Sequence, residues 1–322
     1  MKGVKGLLAI AALVALAGIA WLGSGWWVGS QVEEETSFIV PSGATLTSVA
    51  GKLEEEGLIG SSDGFLLRAK ILGSGDPVKA GEFLVPEGAT ASAMLDTFQH
   101  GETINRFVTI PEGTPSIVVH EILMAEPLLT GEIPVPVEGS VLPDTYSFER
   151  GEDRTAVLAR MQAAMRNYLA EAWPKRTSDI AVDTIEEAVT LASIVEKETG
   201  VARERRMVAG LYSNRVKTGM LLQADPTIIY PITKGKPLGR RIRQSEIAAI
   251  NGYNTYTRTG LPEGPITNPG REAIAAVLDP AETDAVYMVA DGTGGHKFAR
   301  TLAEHNANVE EWYALRRERG EM

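Results

Sequence analysis

The sequence predicts an α+β protein in three parts: a transmembrane helix within residues 1–32, a small α+β module over 33–105, and a larger mixed α/β domain over 106–322 built around one central helix. Three observations predict it. An uncharged apolar run extends from Gly6 to Gly29. Three short β-rich runs each lead through Pro-x-Gly to a threonine. An apolar helical stripe, expected over Ile185 to Thr199, ends in two carboxylates.

The apolar run is dominated by Leu, Ala, Ile, Val and Trp. As a helix it is about 35 Å long, enough to cross a hydrocarbon core of ~30 Å. Lys2 and Lys5 precede it and Glu33, Glu34 and Glu35 follow it, which predicts a cytoplasmic N-terminus and an extracytoplasmic remainder. Trp21, Trp26 and Trp27 fall where an interfacial aromatic belt is expected. Ala15-Leu16-Ala17 resembles a signal-peptide cleavage site, but the apolar run continues well past it, which favours a retained anchor.

The segments starting at Phe38, Phe83 and Phe107 share one local grammar. Each meets Pro-x-Gly and then Thr45, Thr90 or Thr114, placed to cap a following helix. Asp63 is expected to cap a helix over 64–72. Leu128 to Val137, rich in Pro and Gly, reads as an irregular connection. Helices are expected over 154–173, 185–199 and 203–218, and residues 251–271 as a long polar loop of the kind that often carries function.

On the central helix Ala188, Leu191, Ala192 and Val195 form the stripe. Glu196 and Glu198 flank it on opposite sides, and Lys197 points away. A carboxylate at a helix C-terminus faces the negative end of the helix dipole. If it is also desolvated, its pKa rises toward that of a general acid at neutral pH. Periodicity does not choose between the two glutamates.

Composition narrows the chemistry. The 322 residues carry a net charge of −11 with no basic block, which argues against a nucleic-acid partner. The absence of cysteine excludes disulfides, thiolate zinc sites, thiol nucleophiles and a lipoprotein anchor. His100, His120, His296 and His305 are scattered and form no His-Glu-x-x-His motif. No Gly-x-Ser-x-Gly elbow is present. Gly292 to His296 lacks the lysine of a phosphate loop and reads as a tight hairpin turn. Two glutamates two residues apart on one helix cannot straddle a glycosidic bond. A glycoside hydrolase would therefore need a second carboxylate such as Asp225 or Asp144, whereas one carboxylate suffices if the substrate supplies its own nucleophile. Tyr253, Asn254, Tyr256 and Thr257 form a polar and aromatic cluster suited to stacking on sugar rings or to satisfying the loop's own backbone.

Several motifs then occur in one order. They are Ala192-Ser193-Ile194-Val195-Glu196-Lys197-Glu198-Thr199; Asn214-Arg215 with Leu222-Gln223-Ala224-Asp225-Pro226-Thr227; Tyr253-Asn254-Thr255-Tyr256 with Gly260-Leu261-Pro262; Ile266-Thr267-Asn268-Pro269-Gly270; Val289-Ala290-Asp291-Gly292 with Gly294-Gly295-His296; and His305-Asn306. Together they resemble the YceG-like family of membrane-anchored endolytic murein transglycosylases, over essentially the whole chain. Glu138-Gly139 through Pro143-Asp144-Thr145 matches the family's Glu-Gly-x-x-x-Pro-Asp-Thr pattern, although an aromatic usual near Ser140 and Val141 is missing.

The resemblance implies a single-pass inner-membrane anchor, a LysM-like module and a catalytic domain. It implies cleavage of the MurNAc-β-1,4-GlcNAc bond within nascent peptidoglycan strands, leaving 1,6-anhydro-MurNAc ends, with no cofactor or metal and with peptidoglycan synthases as partners. Lytic transglycosylases carry their catalytic Glu directly before Ser or Thr, which selects Glu198, with Glu196 as the alternative. Gln223, Asp225, Tyr253, Asn254, Tyr256, Asn268 and His296 are implied as substrate contacts. A membrane-tethered peptidoglycan-binding scaffold and a muramidase-type hydrolase are the competing expectations.

Overall fold

The computed structural model describes residues 2–321, with side chains from Ile10 onward. The side chains of Lys2 and Lys5, which carry the expected orientation, lie outside that range. Helix α1 spans Lys2–Ser24, five residues short of the expected Gly29. Among the described residues no helix is long and apolar enough to cross a membrane. The reason for the early stop is Trp26. Its indole is 1% exposed and its ring lies 5.8 Å from that of Phe65, so it packs into the core of the small unit rather than standing in an aromatic belt. Trp21 and Trp27 remain more than half exposed.

The chain forms two compact units: residues through Arg106 with Ser147–Arg150, and Phe107–Tyr146 with Gly151 onward. In the first, β1 (Thr36–Val40) leads through α2 (Leu46–Glu55) and α3 (Ser62–Leu72) to β2 (Gly81–Val85), and α4 (Ala91–His100) follows. The strands pair antiparallel with Phe38 opposite Phe83. Both rings pack on Phe98, at 5.0 and 5.5 Å. Thr45 and Thr90 cap α2 and α4 as expected, Thr45 in a capping box with Ser48. Ser61, not Asp63, caps α3, because its hydroxyl reaches the Gly64 N–H at 3.2 Å. The return of Ser147–Arg150 to this unit follows from Glu82, a buried carboxylate held by Arg106 at 2.9 Å and Arg150 at 3.3 Å.

The second unit mixes helices with short strands, and the helices dominate. After β3 (Arg106–Thr109) come α5 (Ser116–Ala125), β4 (Thr145–Phe148), α6 (Arg154–Ala172), α7 (Ile185–Glu198), α8 (Arg205–Lys217), α9 (Asp225–Thr233), the short α10 (Gln244–Ile247) and α11 (Arg271–Leu278). β5 (Tyr287–Ala290), β6 (His296–Ala299) and α12 (Leu302–Glu318) complete it. The described sheets are all two-stranded: β1–β2, β3–β4 and β5–β6. With four-residue strands, burial falls to the helices. The β5–β6 hairpin turns at Gly292–Gly294, both at positive φ, where glycine is favoured.

α7 is the centre of this unit and packs on α8, α9 and α11. Thr184 and Glu187 form a capping box at its start, so sequence and structure agree there. Burial exceeds the expected stripe: every residue from Ala188 to Val195 is buried. Thr190 and Ser193 are tolerated inside because their hydroxyls donate to Glu186 O and Thr190 O at 2.8 and 2.7 Å. Ser193 Oγ also accepts from the Ile266 N–H at 3.0 Å, pinning the long loop to the helix. The helix ends at Glu198, and Thr199 turns extended.

Candidate active site

Glu198 closes α7 against α8 and α9. Burial raises its pKa to about 7, the charge of Asp225 adds to the rise, and a hydrogen bond from Tyr212 and the Arg215 charge oppose it. This is the environment that keeps a carboxyl protonated near neutral pH. Tyr212 is buried on α8 and donates its hydroxyl to Glu198. Burial first, and then the Glu198 charge, hold its phenol well above the ordinary value.

Arg215, three residues further along α8, is buried and donates to Leu222 O at 2.7 Å and Val286 O at 2.6 Å. It thereby holds the segment that delivers Gln223 and Asp225. Thr255 sews the 251–270 loop to the same segment. Its carbonyl accepts from Gln223 N–H at 3.1 Å, its hydroxyl accepts from Ala224 N–H at 3.1 Å, and that hydroxyl lies 2.8 Å from Thr227 Oγ1. The result brings Tyr256 to Asp225, its hydroxyl donating to Oδ1 at 2.6 Å. Asp225, exposed, opens α9 in its first turn, where the helix dipole favours a negative charge.

Gln223 is exposed at φ +50°, a left-handed conformation that L-residues other than Asn and Asp adopt at a cost. Replacing it by glycine should raise stability by about 1 kcal/mol, the relieved strain exceeding glycine's entropic cost. Thermal melts of Gln223→Gly and Gln223→Ala check this. A Gly variant that melts no higher than the Ala variant would show that the position stores no strain.

Glu196 is occupied otherwise. One carboxylate oxygen accepts from the Gly270 N–H at 2.9 Å. Burial raises its pKa, the Gly270 bond opposes that, and nearby Glu112 adds to the rise. It pins the Asn-Pro-Gly turn. A Cβ added to Gly113, itself at φ +71°, would lie 3.3 Å from Glu196 Cγ.

Two residues implied as substrate contacts lie inside the protein. Asn254 and Asn268 are both fully buried. Asn254 Nδ2 donates to Ile247 O and Ala249 O at 2.9 and 2.6 Å, and its Oδ1 accepts from Tyr256 N–H at 2.9 Å. Asn268 Oδ1 accepts from Val141 N–H at 3.0 Å, and Nδ2 donates to Thr114 O and Ser116 Oγ at 2.9 and 3.1 Å. Both brace loops. Tyr253 stays half-buried, its ring 4.8 Å from that of Tyr230. His296 is paired with Glu204, Nδ1 to Oε2 at 3.0 Å, and its N–H donates to Glu204 Oε1 at 3.2 Å. Asp144 is held by Arg271 at 2.8 Å.

Glu138 carries a role the sequence reading did not give it. Its Oε1 accepts the Ser116 N–H at 2.8 Å, so it caps α5 in place of the expected Thr114, whose hydroxyl turns back to Pro111 O at 2.6 Å. Burial raises its pKa against hydrogen bonds from Ser116 and Tyr230. The sequence reading gives Tyr212 and Arg215 no role in the site either, although Asn214-Arg215 stands among the family motifs.

The chain and its fold have known counterparts. The YceG-like family model matches residues 38–311. The chain is 26% identical over 312 residues to an endolytic murein transglycosylase of Bacillus subtilis, covering 87% of this chain and 85% of the relative. It is 28% identical over 321 residues to one of Streptococcus pneumoniae, covering 84% of this chain and 57% of that longer protein. A crystal structure of a YceG-like protein from Listeria monocytogenes superposes with a TM-score of 0.52 at 23% identity, covering 85% of this chain and 98% of the other. With the family pattern extending from the first strand of the small unit into the last helix, the chain belongs to the YceG-like family.

Proposed function

We propose that this protein is an endolytic peptidoglycan transglycosylase that cuts the MurNAc-β-1,4-GlcNAc bond within glycan strands and leaves 1,6-anhydro-MurNAc ends. The observation that carries the reading is the half-buried Glu198 carboxyl, hydrogen-bonded by Tyr212 and faced by the charge of Asp225. Glu198 gives its proton to the glycosidic oxygen as the C1–O bond breaks, and the GlcNAc end leaves with a free hydroxyl. The C6 hydroxyl oxygen of the same MurNAc then bonds to C1 and returns its proton to Glu198. No water is consumed and the acid is restored. Asp225 supplies negative charge near the positive charge that develops at C1. Gln223, Tyr253 and Tyr256 contact the sugars, and Tyr212 orients the acid.

Asp225 beside Glu198 also supports a second reading, a hydrolase in which Asp225 assists an attacking water. Digestion of purified sacculi in ¹⁸O-labelled water separates the two. The lyase yields anhydro ends without label, a hydrolase yields labelled reducing ends, and a peptidoglycan-binding scaffold yields neither. Labelled ends or no products would overturn the proposal.

The anchor belongs to the same reading. Residues 6–24 of α1 are uncharged, and as a helix they measure about 28 Å, close to one hydrocarbon core. Ile10, Leu13, Leu16 and Ile19 are exposed on that helix. The N-terminus lies in the cytoplasm, and all that follows α1 in both units lies outside, at the cell wall. The β-α-α-β order of the small unit supports a LysM-like glycan-binding role, and peptidoglycan synthases are the partners whose strands are cut. The protein should remain in the membrane pellet after carbonate washing, and release into the supernatant would remove the anchor from the account.

A further inference from the structure

A cavity of about 460 Å³ in the second unit is walled by Pro115, Val118, Pro226 and Ile229 and carries two ammonium groups, Lys197 and Lys236. No carboxylate lines it. Lys236 is paired with Glu121. Lys197 is exposed, its Nζ approaches only the Gly113 carbonyl, at 3.4 Å, and among the described residues no carboxylate forms an ion pair with it. In a chain of net charge −11, an apolar hollow whose only charges are cationic is a distinct feature. Its walls touch the candidate active site through the chain itself: Lys197 precedes Glu198, and Pro226 follows Asp225.

We propose that this cavity receives the acidic peptide carried by the glycan strand, with Lys197 accepting one of its carboxylates and the proline and isoleucine walls covering its aliphatic side chains. The inference rests on the transglycosylase reading, since it assigns a subsite of that same substrate. The peptide branches from the sugar whose C1 is attacked, so its first residues must lie beside Glu198. The Lys197 ammonium, held by no ion pair among the described residues, then gives a charge-assisted hydrogen bond to that carboxylate. Lys236 contributes field only, because Glu121 holds it.

The test compares the full chain with Lys197→Gln and Lys197→Arg on two substrates, peptide-bearing strands and amidase-stripped strands, scored as the ratio of kcat/KM values. The ratio should fall about tenfold in Lys197→Gln and recover largely in Lys197→Arg. An undiminished ratio in Lys197→Gln overturns the inference, whether both rates hold or fall together. Titration of the free peptide into the same proteins by calorimetry reads the subsite without catalysis. Weaker binding by Lys197→Gln supports the subsite even if no strand is cut, the result that would sink the transglycosylase reading alone. Equal binding by parent and Lys197→Gln overturns the subsite.

Discussion

Glu198→Gln should lower turnover on glycan strands by about 10³-fold while making the protein more stable at alkaline pH. The first effect follows from losing the general acid, worth roughly 10²–10⁴ in rate. The second follows from the pKa of about 7 against an ordinary 4.5. The folded state binds this proton more tightly than the unfolded state, so stability is greatest below the unfolded pKa. It declines as pH rises from about 4.5 to about 7 and is flat beyond. The ionised carboxyl then costs about 3 kcal/mol, which glutamine removes. Thermal melts should show Glu198→Gln several degrees above the parent at pH 8 and level with it at pH 4. Equal differences at the two pH values would contradict the raised pKa. In the parent, kcat/KM should fall above about pH 7, because the acid must enter the cycle protonated.

Asn268→Ala should destabilise the protein by about 2–4 kcal/mol. The substitution leaves the Val141 N–H without its acceptor at 3.0 Å and removes the donor to Thr114 O at 2.9 Å, in a place with no solvent exposure. Each stranded buried group costs about 1–3 kcal/mol. In a unit of this size that lowers the melting temperature by roughly 5–15 °C. A substrate contact would behave otherwise, raising KM at an unchanged melting temperature. That outcome would return Asn268 to the binding residues.

The contrast between these two residues shows what the sequence makes legible. α7 is readable because its signals are local: a capping box at Thr184 and Glu187 and an apolar run at helical spacing. The expectation of a tight hairpin at Gly292–Gly295 held for the same reason. Asn254 and Asn268 sit among Gly, Pro, Tyr and Thr, a composition that exposed loops share. Only partners far along the chain, such as Val141 for Asn268, turn them into buried braces. Likewise Glu196 and Glu198 differ in nothing local that fixes their chemistry. One meets the Gly270 N–H, the other Tyr212 and the field of Asp225, and both environments come from other segments. Trp26 fails as a belt residue because an apolar run does not announce where its helix gives way to a packed core.

Glu138 belongs to the same class. A carboxylate after Val-Pro-Val reads as loop surface, yet it serves as the cap of α5, 22 residues earlier in the chain. The family pattern around Pro143-Asp144-Thr145 therefore has a physical basis at its first residue. Its glutamate fixes the start of a helix whose preceding turn, at Gly113, lies against Glu196.

In the proposed mechanism one carboxyl, on Glu198, serves as both acid and base. The most direct measurement is mass spectrometry of muropeptides from sacculi digested by the parent, Glu198→Gln and Glu196→Gln proteins. The account predicts 1,6-anhydro ends from the parent and from Glu196→Gln, whose amide oxygen still accepts the Gly270 N–H, and none above background from Glu198→Gln. Anhydro ends at the parental level from Glu198→Gln would contradict it.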